Sequence, residues 1–430
     1  MRCILVILDG IGDRSHPILE HNTPLYSAYT PNLDYLASIG LNGLYHTYKQ
    51  GVAMPSEIAH FLMMGYSLKE FPGRGYLEAI GEGIEIKEKQ VGIIARLVSV
   101  KLHENKFLLL NRNPKVKQEY IPKIVNEIKY FEYKNIKIEF IPTKGLRGFL
   151  KISGSVSPHI TDSDPFYENR YIIDICPTDS STQAKSTSAC IREYLKWSFN
   201  KLNNHEINIE LRQKNGMYPV NMVITQRAGQ KKSLMNFRQK WGLKGLSISS
   251  QAIYWGLFKE LGFDIVKTKD TKDPEADLAQ RLKIAIQSKE YSFIHVHTKM
   301  PDKAGHLKDP VYKKDIISCL DRAIKVIKDE IILDPELLVV ITGDHSTASS
   351  GRMIHTGESV PITMVGQYIR RDLVTAFNEI DCAKGGLGMV KGDELMYLIL
   401  NFMDMGKLKG LMDTPEDQPY YPGFYTPLSM

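Results

Sequence analysis

Unbroken apolar runs that stop at a polar residue recur along the chain. Cys3 to Leu8 is the first, and it is closed by Asp9 and Gly10. A run with no polar alternation predicts a strand buried on both faces, the usual state of a parallel strand inside an α/β sheet. "SFIHVHTKM", "ELLVVITGDHS" and "VPITMVG" repeat the pattern later, and "KGLSISS" predicts a further strand. Helical periods lie between these runs. In "TPNLDYLASIG" Leu33, Leu36 and Ile39 share a face, Thr30 is placed to cap, Pro31 takes the first helical position and Gly40 stops the helix. "AIYWGLFKELG" predicts a second helix. Asp309 and Pro310 start a third, with Ile316, Leu320, Ala323 and Ile327 as its apolar face.

This strand–helix alternation is lost between about residues 90 and 240. "VGIIARLVSV", "KFLLL" and "RGFLKISG" predict short strands, and a long amphipathic helix is expected near Thr182–Leu202. The segment is expected to be an α+β domain inserted into an α/β core whose mostly parallel sheet is flanked by helices. The expected boundaries are 1–85 with 235–430 for the core and 86–234 for the insert.

Three of the apolar runs end in residues that ligate metals. Asp9 closes the first. Asp302 and, four residues on, His306 follow "FIHVHTKMP". Asp344 and His345 follow "LLVVIT", and His355 lies ten residues beyond. Ligands bind at the carboxyl ends of strands in open α/β sheets. Carboxylates and imidazoles suit Mn²⁺, Zn²⁺ and similar ions, and with a serine oxygen this pool could serve two of them. His295 and His297, inside a strand, are expected to be ordinary core. "GVAMPSEIAHFLMMGY" places Ser56 before an apolar helical run, with His60 four residues on. Spacing alone allows Ser56 to be a helix cap or a nucleophile.

Composition narrows the field. The net charge of +6 over 430 residues is mild and fits a small anionic substrate better than nucleic acid. The Lys-rich stretch at 101–144 is expected to be a solvated face. Five cysteines, Cys3, Cys176, Cys190, Cys319 and Cys382, form no C-x-x-C pair, which fits a reducing cytoplasm rather than a disulfide framework. No apolar stretch reaches the ~18–20 residues of a membrane span. A soluble cytoplasmic protein is expected.

"LDGIGD", "TPNLDYLASIG", "PSEIAH", "GRGYLEAIG", "HTKMPDKAGH", "TGDHSTASS" and "GGLGMVKGDELM" together resemble the cofactor-independent phosphoglycerate mutases of the archaeal type, within the alkaline phosphatase superfamily. The resemblance implies an alkaline-phosphatase-like core, and interconversion of 3-phosphoglycerate and 2-phosphoglycerate through a phosphoserine. It implies one metal on Asp9, Ser56, Asp344 and His345 and a second on Asp302, His306 and His355, with Ser56 as the nucleophile. Mn²⁺ is the first expectation, and Zn²⁺, Co²⁺ or Mg²⁺ are compatible. With the metals' histidines elsewhere, His60 is expected to be structural. Lys299, three residues before Asp302, could bind the phosphoryl group or protonate a leaving alkoxide.

The insert is expected to cap the core and bind substrate. "ITDSDPF", with Asp162 and Asp164, resembles a Ser-Asp-x-Asp-Pro stretch of the archaeal type, and Arg147, Arg212 and Arg227 fall where that branch has arginines. Phe166 stands where the family usually shows His. Glu57 follows the serine where the archaeal type often has Asp. These departures leave room for a phosphomonoesterase or a mutase of a related phosphonate. A non-catalytic metal-binding protein is the rival of another class.

Overall fold

The computed structural model describes residues 1–214 and 216–430. The chain forms two compact units, Met1–Phe71 with Leu234–Met430 and Pro72–Ser233. In order, its strands are β1 (Arg2–Leu8), β2 (Leu41–His46), β3 (Val91–His103), β4 (Lys106–Asn111), β5 (Tyr130–Tyr133), β6 (Ile136–Pro142), β7 (Arg147–Ser153), β8 (Met222–Gln230), β9 (Gly245–Ser249), β10 (Asp264–Lys267), β11 (Phe293–Thr298), β12 (Leu337–Thr342), β13 (Val360–Val365) and β14 (Gly388–Lys391).

The first unit is an α/β fold around an eight-stranded sheet ordered β10-β9-β11-β1-β12-β13-β2-β14. β1 lies between β11 and β12, parallel to both, and every one of its residues is buried. β11 and β12 are buried throughout as well. The apolar runs are therefore central strands, covered on both faces as their composition requires. β13 is antiparallel to its neighbours β12 and β2, and the other pairings are parallel. The Pro310–Leu333 helix begins as expected: Asp309 accepts the Tyr312 amide at 3.0 Å, and Ile316, Leu320, Ala323 and Ile327 are buried. In the Pro31–Ser38 helix, Thr30 stands in the cap position but its hydroxyl donates to Asp34 at 3.3 Å and caps no amide.

The second unit is α+β. Its six-stranded sheet has the order β4-β3-β7-β6-β5, and β8 pairs with β3. All these pairings are antiparallel. The expected long helix runs Thr182–Asn203 and buries Cys190, Ile191, Tyr194 and Leu195 in this unit's core.

The unit begins earlier than residue 86. The Arg74–Gly81 helix packs on β3 and β8. Gly73 (φ 92°) and Gly75 allow this close approach: a Cβ on Gly75 would stand 2.4 Å from the carbonyl oxygens of Arg227 and Gly92. No periodicity in the sequence encodes such backbone-to-backbone contact.

Candidate metal centre

Three strands deliver the candidate ligands of the first unit. Asp9 follows β1 directly. Gly10 then turns with φ 68°, and its amide donates to Asp344 Oδ1 at 3.0 Å. A Cβ on Gly10 would lie 2.8 Å from the Asp302 Cα, so the turn after β1 brings the first and second ligand loops together. Lys299 follows β11 and precedes the Met300–His306 helix, which carries Asp302 and His306 one turn apart. Asp344 and His345 come two and three residues after β12.

The structure brings these side chains to one place. Two triads have donor atoms within 4.8 Å of one another: Asp9, Asp344 and His345, and Asp302, His345 and His355. His345 stands in both, so the two expected ligand sets meet at one imidazole. His306 lies outside the second triad, but its Nε2 is 3.2 Å from Asp302 Oδ1, and the Nε2 of His355 is 3.3 Å from the same oxygen. Thr347 also donates to that oxygen at 2.7 Å.

Ser56 is not the helix cap. Pro55 holds the cap position, and Ser56 is the first residue of the Ser56–Met63 helix. Its Oγ faces the triads instead, 2.9 Å from His345 Nε2 and 3.0 Å from Lys299 Nζ. The Lys299 ammonium also reaches Asp9 Oδ2 at 3.0 Å and Asp302 Oδ2 at 2.9 Å.

Electrostatics single this cluster out. Asp9, Asp302 and Asp344 are all buried, with Lys299 as the ammonium among them. Burial works to raise the Asp9 carboxyl, but Lys299 and His297 outweigh it and hold it far below the usual range. Asp302 is held low too, because its bonds from His306 and His355 overcome burial. Asp344 goes the other way, pushed well up by burial and by the charge on Asp9. Burial also takes His345 down to about 3, with His355 adding to the shift. Lys299 is held well above the ordinary lysine value, since Asp9 and its neighbours more than offset burial. Asp344 Oδ2 accepts no hydrogen bond, although His345 Nε2 lies 3.2 Å away and His60 Nδ1 3.5 Å away. Excess buried carboxylate, an orphaned oxygen and the imidazole of His345, kept neutral by burial, are the chemistry that divalent cations complete.

Sequence reading missed several contacts. Tyr254 and His297 both touch Asp9, and Thr347 touches Asp302. His295 and His297 stand two apart on a buried strand and so share a face. His297 was expected to be ordinary core, and that spacing is the one signal that could have set it apart. Tyr254 and Thr347 carried none.

The second unit has its own cavity of about 230 Å³, lined among others by Arg74, Arg96, Arg112, Arg147, Asp164 and Arg227. Asp164 is the buried acceptor that organises it. It takes Arg112 Nη2 at 2.5 Å, Gln226 Nε2 at 2.6 Å and the Phe166 amide at 2.8 Å. Phe166 (φ 65°) lines the cavity, with the Arg112 guanidinium 5.6 Å over its ring. Burial and the crowding of Arg112 and Arg147 lower Arg96 to about 10. Arg74, Arg96 and Arg112 were not singled out from sequence, and Arg112 lies in the stretch expected to be a solvated face. Asp162 is outside the lining and accepts the Arg227 amide at 2.6 Å. Arg212 is also elsewhere. It donates to the carbonyl and side chain of Asn203, where the Thr182–Asn203 helix ends. An arginine there satisfies orphaned helix carbonyls.

Metal-type ligands at the strand ends of a mostly parallel sheet define a metalloenzyme, and residues 1–402 match the Metalloenzyme superfamily. A 2,3-bisphosphoglycerate-independent phosphoglycerate mutase from Methanocaldococcus jannaschii is 40% identical over 98% of each chain. A mutase of the same name from Methanococcus maripaludis is 33% identical over 95% of this chain and all of its own. Among solved structures, a protein from Pyrococcus horikoshii aligns with TM-score 0.77 at 26% identity, over 95% of this chain and 99% of that one. The cofactor-independent phosphoglycerate mutase from Thermoplasma acidophilum aligns with TM-score 0.63 at 25% identity, over 94% and 100%. The chain belongs to the 2,3-bisphosphoglycerate-independent phosphoglycerate mutase family. Among the described residues no helix is long and apolar enough to cross a membrane.

Proposed function

We propose that the chain interconverts 3-phosphoglycerate and 2-phosphoglycerate in the cytoplasm, without bisphosphoglycerate, by passing the phosphoryl group through Ser56. The carrying observation is the Ser56 hydroxyl, which leaves its own helix amides uncapped and lies within 3.0 Å of both His345 and Lys299. The family relationship supports the substrate.

Asp9, Ser56, Asp344 and His345 would hold one divalent ion, and Asp302, His306 and His355 a second, with Mn²⁺ as the first choice. When bound, such ions lower the pKa of the serine hydroxyl and neutralise charge on the transferring phosphoryl oxygens. Ser56 Oγ attacks phosphorus, and the bond from phosphorus to the glycerate oxygen breaks. Lys299 gives that oxygen a proton and receives the serine's. In the second half the other glycerate hydroxyl attacks the phosphorus of phosphoserine, the bond from phosphorus to Ser56 Oγ breaks, and the attacking hydroxyl's proton passes through Lys299 to Ser56 Oγ. Arg147 and Arg227 of the second unit bind the anionic groups of the substrate. Asp164 holds Arg112 for the same task, by the fork geometry that guanidinium offers to carboxylate and phosphate.

Phe166 is the observation that favours a second reading, in which the preferred substrate is a close phosphorylated relative of phosphoglycerate. A coupled assay with 3-phosphoglycerate across Mn²⁺, Zn²⁺, Co²⁺ and Mg²⁺, with bisphosphoglycerate absent, decides between them. Formation of 2-phosphoglycerate is the expected result. Release of free phosphate with no 2-phosphoglycerate would overturn the mutase reading.

A further inference from the structure

The two oxygens of Asp9 have different surroundings. Oδ2 accepts the Tyr254 hydroxyl at 2.7 Å and His297 Nε2 at 2.8 Å. Oδ1 lies on the side of His345, whose Nε2 is 3.6 Å away. Lys299 is near both, at 3.0 and 3.2 Å. His297 Nδ1 has no hydrogen-bond partner, so the bond to Asp9 places the ring's proton on Nε2.

Neither Tyr254 nor His297 can turn away. Both are buried, and their rings pack against each other at a 41° tilt with centroids 4.0 Å apart. His60 closes the cluster, with its centroid 4.9 Å from Tyr254 and 5.2 Å from His297. Its Nδ1 donates to the Ser56 carbonyl at 2.8 Å, which ties the cluster to the turn that carries the nucleophile.

We propose that Tyr254 and His297 are positioning residues for the metal site. Together they occupy Asp9 Oδ2 and thereby present Oδ1 as the ligand atom on the His345 side. This inference rests on the metal reading given above. Partners that orient a ligating carboxylate typically change metal affinity 10–100-fold when removed.

Titration calorimetry of Mn²⁺ into the full, chelator-stripped chain tests it without any assay of activity. Each variant is made in the Asp302→Asn background, which leaves the Asp9, Asp344 and His345 triad as the one titrated. Tyr254→Phe and His297→Leu are expected to weaken binding about 10–100-fold. His297→Gln, whose amide can still donate to Oδ2, is expected to recover most of the affinity. Unchanged affinity in Tyr254→Phe and His297→Leu would overturn the proposal. So would equal losses in His297→Gln and His297→Leu, because packing alone would then be the cause. Failure of the Asp302→Asn parent to bind Mn²⁺ would overturn the metal reading itself, and this inference with it.

Discussion

The Lys313 ammonium is buried against the Asp13 carboxylate, with Nζ 3.2 Å from Oδ2. It also donates to the carbonyls of Gly12 and Thr347 at 2.8 and 2.7 Å. One lysine thus fastens the loop after β1 to the loop after β12, the two segments that carry Asp9 and Asp344. Removing one member of a buried pair leaves the other charge uncompensated, at about 3–5 kcal/mol. Lys313→Met is expected to destabilise the chain by about that amount in urea unfolding. The double variant with Asp13→Asn is expected to lose less than the sum of the single changes.

The same carboxylate gives a dependence on pH. Burial alone would raise Asp13, but Lys313, Ser349, the Arg14 amide and His16 outweigh it and hold it below its ordinary value. Its stabilisation is therefore complete above the unfolded pKa of about 3.9 and is lost as pH falls through the lower folded value. Unfolding free energies measured from pH 6 down to pH 3, across the unfolded value of about 3.9, are expected to fall less steeply for Asp13→Asn than for the unmutated chain.

Ser56 is expected to carry phosphate during turnover. Acid quench followed by peptide mass spectrometry should find phosphoserine at position 56 when 3-phosphoglycerate is present. Ser56→Ala should lack it and lose more than about 10⁴-fold in kcat, the scale on which removal of a covalent nucleophile acts. Full activity in that variant would eliminate the serine mechanism.

Metal removal is expected to destabilise the first unit. Three buried carboxylates have Lys299 as the ammonium among them, and a divalent ion would relieve their repulsion. An ion present at 100 times its dissociation constant adds about 2.7 kcal/mol. Calorimetric melting of chelated and Mn²⁺-loaded protein should show the shift, and Asp302→Asn should reduce it.

The arginines of the second unit are expected to separate by role. Arg147 lines the cavity and has no ion-pair partner among the described residues. Arg147→Ala should raise KM about 10–100-fold, the range of a charge-assisted hydrogen bond. Arg212→Ala should leave KM unchanged and cost up to about 1 kcal/mol of stability, as loss of a cation at a helix C-terminus does. Steady-state kinetics and urea midpoints on the two variants check both statements.

The parts legible in the sequence are those that a continuous apolar run announces. β1, β11 and β12 are each followed within four residues by a candidate ligand, so Asp9, Asp302 and Asp344 could be picked out as candidates by position alone. What escaped depends on contacts between distant segments. The start of the second unit is set by Gly75 lying on the backbone of β3 and β8. Tyr254 reaches Asp9 from a helix whose apolar pattern looks ordinary. Arg212 resembled its neighbours in type, but the end of the Thr182–Asn203 helix claims it. Spacing left Ser56 open between cap and nucleophile, because capping depends on backbone angles, and in the structure those angles give the cap position to Pro55.

The position of β1 also bears on how the chain comes off the ribosome. This strand is made well before either of its partners, β11 beginning at Phe293 and β12 at Leu337. Its apolar row must wait unpaired through synthesis of the whole second unit. Such late, non-local parallel pairing is slow and exposed to aggregation. Newly made chains are therefore at their most vulnerable just before β11 and β12 emerge. The Pro72–Ser233 unit takes all its strands from one continuous stretch of chain and can be complete before then.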